Sequence, residues 1–404
     1  MKFLHAADLH LDTPFRGLSD VSPALQRRLV EAPIKALQRL TDLALDQRVD
    51  CVLLVGDLFD ASAQSVQAQA ALMSDLTRLA RAQIPVVLSF GNHDFQPDLS
   101  SWHFPSTVHV LGNVVTTVTL TTAAQERVAI SGFSYGQRWV ERDMVTDYPL
   151  KTSAVDYRIG CLHGQVGRPG DHYAPFSVGE LQAKHYDYWA LGHIHQRQAL
   201  SQTPPIMYPG NIQGRHRDEQ GAKGCLIVTS TADHRLQPEF IPLTDVTWTD
   251  WQPTLRGMSD RADLLRQLTD QLNAQFQSGL TLVTVTLPAE AQLAANASLA
   301  LNQGSLLGQL QANAGTTWWP VGLHQMGTAA EPQLFGLNGA TWDAAGEAVV
   351  TPQTIADLAD SLLNEAFLNQ ALLEDQSAEQ WRDQVMRLLT EQYHLTTGGD
   401  QDAD

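Results

Sequence analysis

Five apolar runs in this chain each end on Asp, Asn or His, and that shared ending limits the fold more than any other feature. The central run is Cys51-Val-Leu-Leu-Val-Gly-Asp-Leu-Phe-Asp60, in which Val52–Val55 reads as a buried strand closed by Gly56 and delivering Asp57 at its carboxyl end. Phe3–His10 ends in Asp8-Leu-His10, Val86–Asp94 in Gly91-Asn-His-Asp94, Arg158–Gly164 in Leu162-His-Gly164, and Tyr188–His195 in Gly192-His-Ile-His195. Open α/β sheets bind ligands outside the carboxyl ends of their strands. One such ending is commonplace, since a lone Asp-x-His or His-x-His is usually a surface or capping pair. Five in order point to one shared centre.

The donors are Asp8, His10, Asp57, Asn92, His163, His193 and His195. Three oxygens and four imidazoles suit a pair of borderline cations such as Mn²⁺, Fe²⁺ or Zn²⁺ better than Ca²⁺ or Mg²⁺ alone. Two such ions can share a carboxylate and a water and clamp an in-line displacement at phosphorus. Asp57, on the central strand, is the natural bridge. The alternation in Asp8-Leu-His10 and His193-Ile-His195 predicts two ligands on one face of an extended segment, with the apolar residue turned inward.

Between these runs the pattern is helical. Ser22–Asp46 carries Leu25, Leu29, Leu37, Leu40 and Leu43 and is expected as two helices broken at Pro33. Ala61–Gln83 reads as a second crossover, giving a βαβ series and a mostly parallel sheet. Val114–Leu120 and Val128–Ile130 predict a strand pair that continues or faces that sheet. The first domain is expected to span residues 1–245. Residues 246–345 read as a small α/β accessory or capping domain, with a helix from a Ser259 cap to Phe276, strands at Leu280–Leu287 and Trp318–Leu323, and Trp318 and Trp319 in its core. Residues 346–404 read as two helices, the second from a capping box at Ser377-Ala-Glu-Gln380, then a disordered acidic tail.

Charge is divided unevenly. Residues 1–230 carry −2 and residues 231–404 carry −16 of the net −18, so the second part disfavours nucleic acid over its open surface. Cys51, Cys161 and Cys225 are far apart and form no CxxC, which argues against zinc ribbons and disulfides. No signal-peptide pattern opens the chain and no apolar run nears the ~20 residues of a membrane helix. A cytoplasmic protein without a membrane role is the expectation.

The set Asp-x-His, Gly-Asp-x-x-Asp, Gly-Asn-His-Asp, Leu-His-Gly and Gly-His-x-His, across roughly residues 1–230, resembles the calcineurin-like metallophosphoesterase superfamily. More narrowly, Met1–Leu11, Gly56-Asp-Leu-Phe59 and Tyr208-Pro-Gly-Asn-Ile-Gln-Gly-Arg-His216 resemble the SbcD-type DNA repair exonucleases, in their YhaO-like branch. The resemblance implies a four-layer α/β/β/α sandwich and two metal ions, usually manganese. Asp8, His10, Asp57 and His195 would hold one ion, and Asp57, Asn92, His163 and His193 the other. It also implies DNA as substrate, a homodimer, and an SbcC-type coiled-coil ATPase as partner.

One position departs from that pattern. SbcD-type nucleases generally end the second motif in His, where this chain has Asp60, as in the phosphoprotein phosphatase branch. The expectation is that Asp60 hydrogen-bonds His93, fixes its orientation and favours its charged form, so that His93 protonates or stabilises the departing oxygen. Asp60 as a helix N-cap is the plainer alternative. The Arg that follows this Asp in the phosphatase branch is Ala61 here, which argues against protein phosphatase activity. Arg215 and His216, with Arg217, are candidates for binding the DNA backbone or a solvated cluster. Trp102, His103 and Phe104 would stack on a base or pack a dimer, and His5 reads as a core histidine. The main reading is a metal-dependent DNA exonuclease or endonuclease of DNA repair. Its rivals are a phosphodiesterase or phosphatase for nucleotides or other small molecules, and a non-catalytic DNA-end-binding scaffold.

Overall fold

The structure, a computed structural model, describes residues 1–18, 21–60, 65–98, 102–326, 346, 348–359, 381, 382 and 385. Its first strands and helices are β1 (Lys2–Ala6), α1 (Pro23–Gln47), β2 (Cys51–Val55), α2 (Val66–Arg81), β3 (Val86–Ser89) and β4 (Val108–Val110). β1 to β4 lie side by side and all parallel, as the βαβ pattern predicts. A second series follows: β5 (Thr116–Thr121), β6 (Arg127–Gly132), β7 (Tyr157–His163), α3 (Val178–Ala183), β8 (Tyr188–Gly192), β9 (Gln198–Gln202) and β10 (Pro205–Tyr208). β11 (Gly224–Ser230) then returns to the first sheet antiparallel to β1, and β12 (Leu236–Pro242) pairs antiparallel with β11 at its edge. The two six-stranded sheets run β12-β11-β1-β2-β3-β4 and β5-β6-β7-β8-β10-β9. β4 therefore continues the first sheet, while β5 and β6 open the second.

Strand alternation decides what each face meets. On β2, Cys51, Leu53 and Val55 join Phe3, Val87, Ile130, Ile159, Tyr188 and Met207 in a core between the sheets. Val52 and Leu54 turn the other way, toward Leu37, Leu40, Leu72 and Leu76 of the two helices. The outer face of the second sheet packs Leu162, Trp189, Leu191 and Ile206 under Met144, Phe176 and Leu181 of α3 and its neighbouring loops. The result is helices, sheet, sheet, then α3 with loops: the four-layer α/β/β/α sandwich. A strand buried on both faces explains why β2 reads as an unbroken apolar run.

The break expected at Pro33 is absent. α1 runs through it as one helix, capped by the Ser22 side chain accepting from Leu25 N. The proline costs an interior helix about 3 kcal/mol, and burial on both sides of it offsets that. Leu25, Leu29 and Ala32 join one core cluster, while Ala36, Leu37, Leu40 and Ala44 join the sheet-facing cluster. α2 is capped by Ser65, whose side chain accepts from Ala68 N.

The remaining elements are β13 (Val246–Trp251), α4 (Arg261–Gln275), β14 (Leu280–Leu287), α5 (Ala295–Asn302), α6 (Ser305–Ala312), β15 (Trp318–Gln325) and α7 (Pro352–Ala359). β13, β14 and β15 form a third sheet, whose Val246, Trp248, Leu280 and Leu282 pack on Leu25, Leu29 and Ala32 of α1. Trp318 is fully buried and donates to Asn273 Oδ1 at 2.8 Å, and Trp319 packs beside the α1 cluster. α4 is capped by Asp260 rather than Ser259, because Asp260 is the extended residue whose carboxylate reaches Asp263 N. The described residues divide into two compact units. One comprises 1–253, 259–286 and 293–323; the other comprises 254–258, 287–292 and the residues from 324 on, where the Gln325 amide donates to Pro288, Ala289 and Ala291 carbonyls. The expected second C-terminal helix and acidic tail lie outside the described residues, apart from Trp381, Arg382 and Val385. Among the described residues no helix is long and apolar enough to cross a membrane.

Candidate metal centre

The ligand-bearing segments are not extended. β1 ends at Ala6, and Asp8 (φ 52°) and His10 (φ 42°) both take the left-handed conformation, as does Asp57 (φ 49°); His193 also has positive φ, 101°. Alternation along a strand is therefore not what pairs Asp8 with His10. Sharp turns at the strand ends aim these side chains back over the sheet, at a conformational cost of about 1–3 kcal/mol each. Backbone bonds hold the turns in place: Asp8 N and His10 N donate to the Gly56 and Asp57 carbonyls at 3.2 and 3.0 Å.

The seven expected donors converge on one place. On one side, His163 Nε2 lies 3.3 Å from Asp57 Oδ2 and 3.1 Å from Asn92 Oδ1, and His193 Nδ1 lies 3.1 Å from the same Asn92 oxygen. On the other, His10 Nε2 lies 3.1 Å from His195 Nε2 and 3.6 Å from Asp57 Oδ2. Asp57 thus stands between the two groups. Asp8, His10 and His195 form one trio with donor atoms within 4.8 Å of one another, and Asp57, His163 and His193 form another. The first sheet supplies Asp8, His10, Asp57 and Asn92, and the second supplies His163, His193 and His195.

The donor set fits a pair of divalent cations. The Val55 carbonyl accepts from His163 Nδ1 at 3.1 Å, which leaves Nε2 facing the centre. Glu219 Oε1 does the same for His195 Nδ1 at 2.5 Å. Asp8 and Asp57 are buried, and the cationic groups within ion-pair distance of them are histidines. Burial opposes charge on His163, yet the Asp57 and Asp8 carboxylates hold its pKa up at about 9. Burial, then the charge of His163, pushes His193 down to about 3. Two buried carboxylates thus draw positive charge to the place where a divalent cation would supply it.

His93 stands at the mouth with 42% of its side chain exposed, its amide donating to Asp57 Oδ1 at 2.9 Å. Its Nδ1 is 3.6 Å from Asp60 Oδ1, an ion-pair distance rather than the expected hydrogen bond. Asp60 also accepts from Thr13 Oγ1 at 3.3 Å. It does not cap α2, a role held by Ser65. Arg215 is buried on the wall of the same cavity, about 320 Å³, with Thr13, Arg16, His93, His195 and His216. His216 is half-exposed and 3.2 Å from Asp218; Arg217 is exposed. Trp102 is partly buried and stacks on Phe59 and Phe104 against the helix-facing core. His5 is a core histidine, 3.0 Å from Tyr188 Oη and 3.1 Å from the Leu191 carbonyl.

Two residues escaped the sequence reading. Glu219 holds His195, and sits in the charged run Arg215-His-Arg-Asp-Glu219, where a solvated surface is the default reading. Asp94 is buried and accepts from Leu58 N and Gly91 N, both at 2.7 Å, and from Phe59 N at 3.3 Å, tying the second strand-end loop to the third. Its motif was visible, but backbone partners leave no mark on a sequence.

A family model described as calcineurin-like phosphoesterase matches residues 1–197. The metallophosphoesterase YhaO of Bacillus subtilis is 39% identical over 253 residues, covering 61% of this chain and 62% of that protein. The SbcD component of the nuclease SbcCD of Bacillus subtilis is 25% identical, covering 56% of this chain and 66% of its own. The DNA double-strand break repair protein Mre11 of Archaeoglobus fulgidus is 25% identical, covering 60% and 59%. The matched region spans less than two thirds of each relative's own length.

Proposed function

Because residues 1–197 match a family model described as calcineurin-like phosphoesterase, we propose that the protein is a metal-dependent hydrolase of phosphoric esters whose substrate is DNA. Asp8, His10, Asp57 and His195 would hold one divalent cation, and Asp57, Asn92, His163 and His193 the second; the donors suit Mn²⁺, Fe²⁺ or Zn²⁺, and the family resemblance favours Mn²⁺. When bound, such a pair supplies Lewis-acid charge stabilisation at a phosphoryl oxygen and lowers the pKa of water toward neutrality. The protein's own part is positional. Val55 and Glu219 fix the faces of His163 and His195. His93, exposed at the mouth and anchored by its amide to Asp57, donates a proton to the departing oxygen, and Asp60 orients its ring.

The observation that carries this reading is Asp57 standing between two groups of donors drawn from both sheets, with His93 beside it. DNA as substrate rests on the likeness to SbcD and to Mre11. On the same ground we propose action in DNA repair, as a homodimer with an SbcC-type ATPase partner; on the sequence pattern we propose a cytoplasmic location and residues 246–345 as an accessory domain.

The test is Mn²⁺-dependent digestion of end-labelled single- and double-stranded DNA, beside bis-p-nitrophenyl phosphate, with His93→Ala and Asp57→Asn in parallel. Digestion of DNA by wild type and by neither variant is expected. Cleavage of the small diester alone, even with the ATPase added, would replace DNA by a small-molecule phosphodiester. Cleavage of neither by metal-loaded protein would overturn the hydrolase reading.

A further inference from the structure

Arg215 is held in an unusual state for a buried cation. It is 5% exposed, and its Nε and Nη1 have no hydrogen-bond partner. Its Nη2 is 3.7 Å from Glu219 Oε1, too far for a hydrogen bond. Glu219 is already engaged: Oε1 faces His195 Nδ1 at 2.5 Å, and Oε2 accepts from Arg215 N at 2.7 Å. The residue is nonetheless fixed in place, since its carbonyl accepts from Arg16 N at 3.0 Å. Buried guanidinium groups normally satisfy their planar array of donors with carboxylate or phosphate oxygens. The side chain helps to line the cavity with His10, Asp60, His93 and His195, its Nε and Nη1 buried just behind that wall.

We propose that Arg215 is a substrate-binding residue that donates to a non-bridging oxygen of the phosphoryl group. This rests on the phosphoesterase reading above and adds the group that recognises the anion itself. The centre's carboxylates are directed to cations, so the site needs a fixed positive donor for the oxygens that the cations do not reach. Arginine fits because its fork matches the spacing of phosphate oxygens, which the point charge of lysine does not. The rival role is support, with Arg215 merely steadying Glu219 and so His195.

The experiment compares wild type, Arg215→Gln and Arg215→Lys, each loaded with Mn²⁺ and assayed for metal content. Calorimetry measures binding of inorganic phosphate, and kinetics with bis-p-nitrophenyl phosphate separate KM from kcat. The expected result is wild-type metal content in at least one variant, with phosphate bound about 10- to 100-fold more weakly and kcat/KM reduced at least as much. Phosphate binding at wild-type strength in either metal-loaded variant would overturn the proposal. Loss of metal from both variants would also overturn it, assigning Arg215 to support of Glu219. If wild type itself neither binds phosphate nor cleaves the diester, the phosphoesterase reading has failed instead.

Discussion

Glu219 Oε1 lies 2.5 Å from His195 Nδ1, so the other nitrogen of that ring is turned toward His10 and Asp8. Carboxylates in this position fix the tautomer and strengthen the histidine as a ligand, and their loss commonly costs 10- to 100-fold in metal affinity. Glu219→Gln is expected to weaken one of two bound Mn²⁺ ions by about that factor. Calorimetric titration reads this as two unequal sites where wild type shows closer affinities.

His93 and Asp60 separate by experiment. His93→Ala is expected to lower kcat by about 10²- to 10⁴-fold, the range for a general acid, with metal content unchanged. Asp60→Asn leaves the imidazole in place and is expected to cost about tenfold, the lesser effect of a group that acts through another. Steady-state rates on a small diester, with metal analysis of each variant, check both. Equal losses would make Asp60 more than an orienting group.

Gly56 is confined from two directions. Its φ is +78°, and a Cβ there would sit 2.2 Å from His163 Nδ1. Gly56→Ala therefore strains the backbone by about 1–2 kcal/mol and also displaces His163 from the Val55 carbonyl. We expect a lower urea midpoint and loss of bound metal together. Loss of stability with metal affinity intact would show that His163 tolerates the displacement.

His5 makes stability depend on pH away from the metal ligands. Burial lowers its pKa to about 3 against a hydrogen bond to Leu191 that raises it. In the unfolded chain it titrates near its ordinary value of 6.5. Between those values the unfolded chain binds a proton that the native state excludes, so stability falls as pH drops from 6.5 toward 3. The slope is up to about 1.4 kcal/mol per pH unit. Above pH 6.5 the effect vanishes. His5→Gln is expected to be less stable than wild type at pH 8, having lost the Tyr188 and Leu191 partners, and to converge with it by pH 4.5. Urea titrations at several pH values measure the gap; a constant gap would mean that His5 does not titrate in this way.

The parallel βαβ series and the strand-end placing of the seven donors were legible because each depends on residue type and period, while the second sheet and its layering came from the family resemblance. Val52 and Leu53 had to face opposite layers, and polar residues had to follow at the strand ends. The left-handed turns at Asp8, His10 and Asp57 were not legible. Residue type signals positive φ weakly outside glycine, so alternation offered a simpler and incorrect geometry for the first pair. Pro33 misled for the opposite reason: a strong local rule yielded to burial on both sides of it. Glu219 and Asp94 act through one histidine and three backbone amides, and such partnerships exist only once the chain has folded.

The division of donors between the two sheets sets a timetable for the protein in the cell. Asp8 leaves the ribosome long before His195, and at roughly 5–20 residues per second the 187 positions between them take about 10–40 s to synthesise. For most of that interval the nascent chain has Asp8, His10, Asp57 and Asn92 without the second sheet's His163, His193 and His195. A full set of seven donors can assemble only after the ligand-bearing strand ends of both sheets have been synthesised, so a centre holding two metals would report that the two halves of the sandwich have come together.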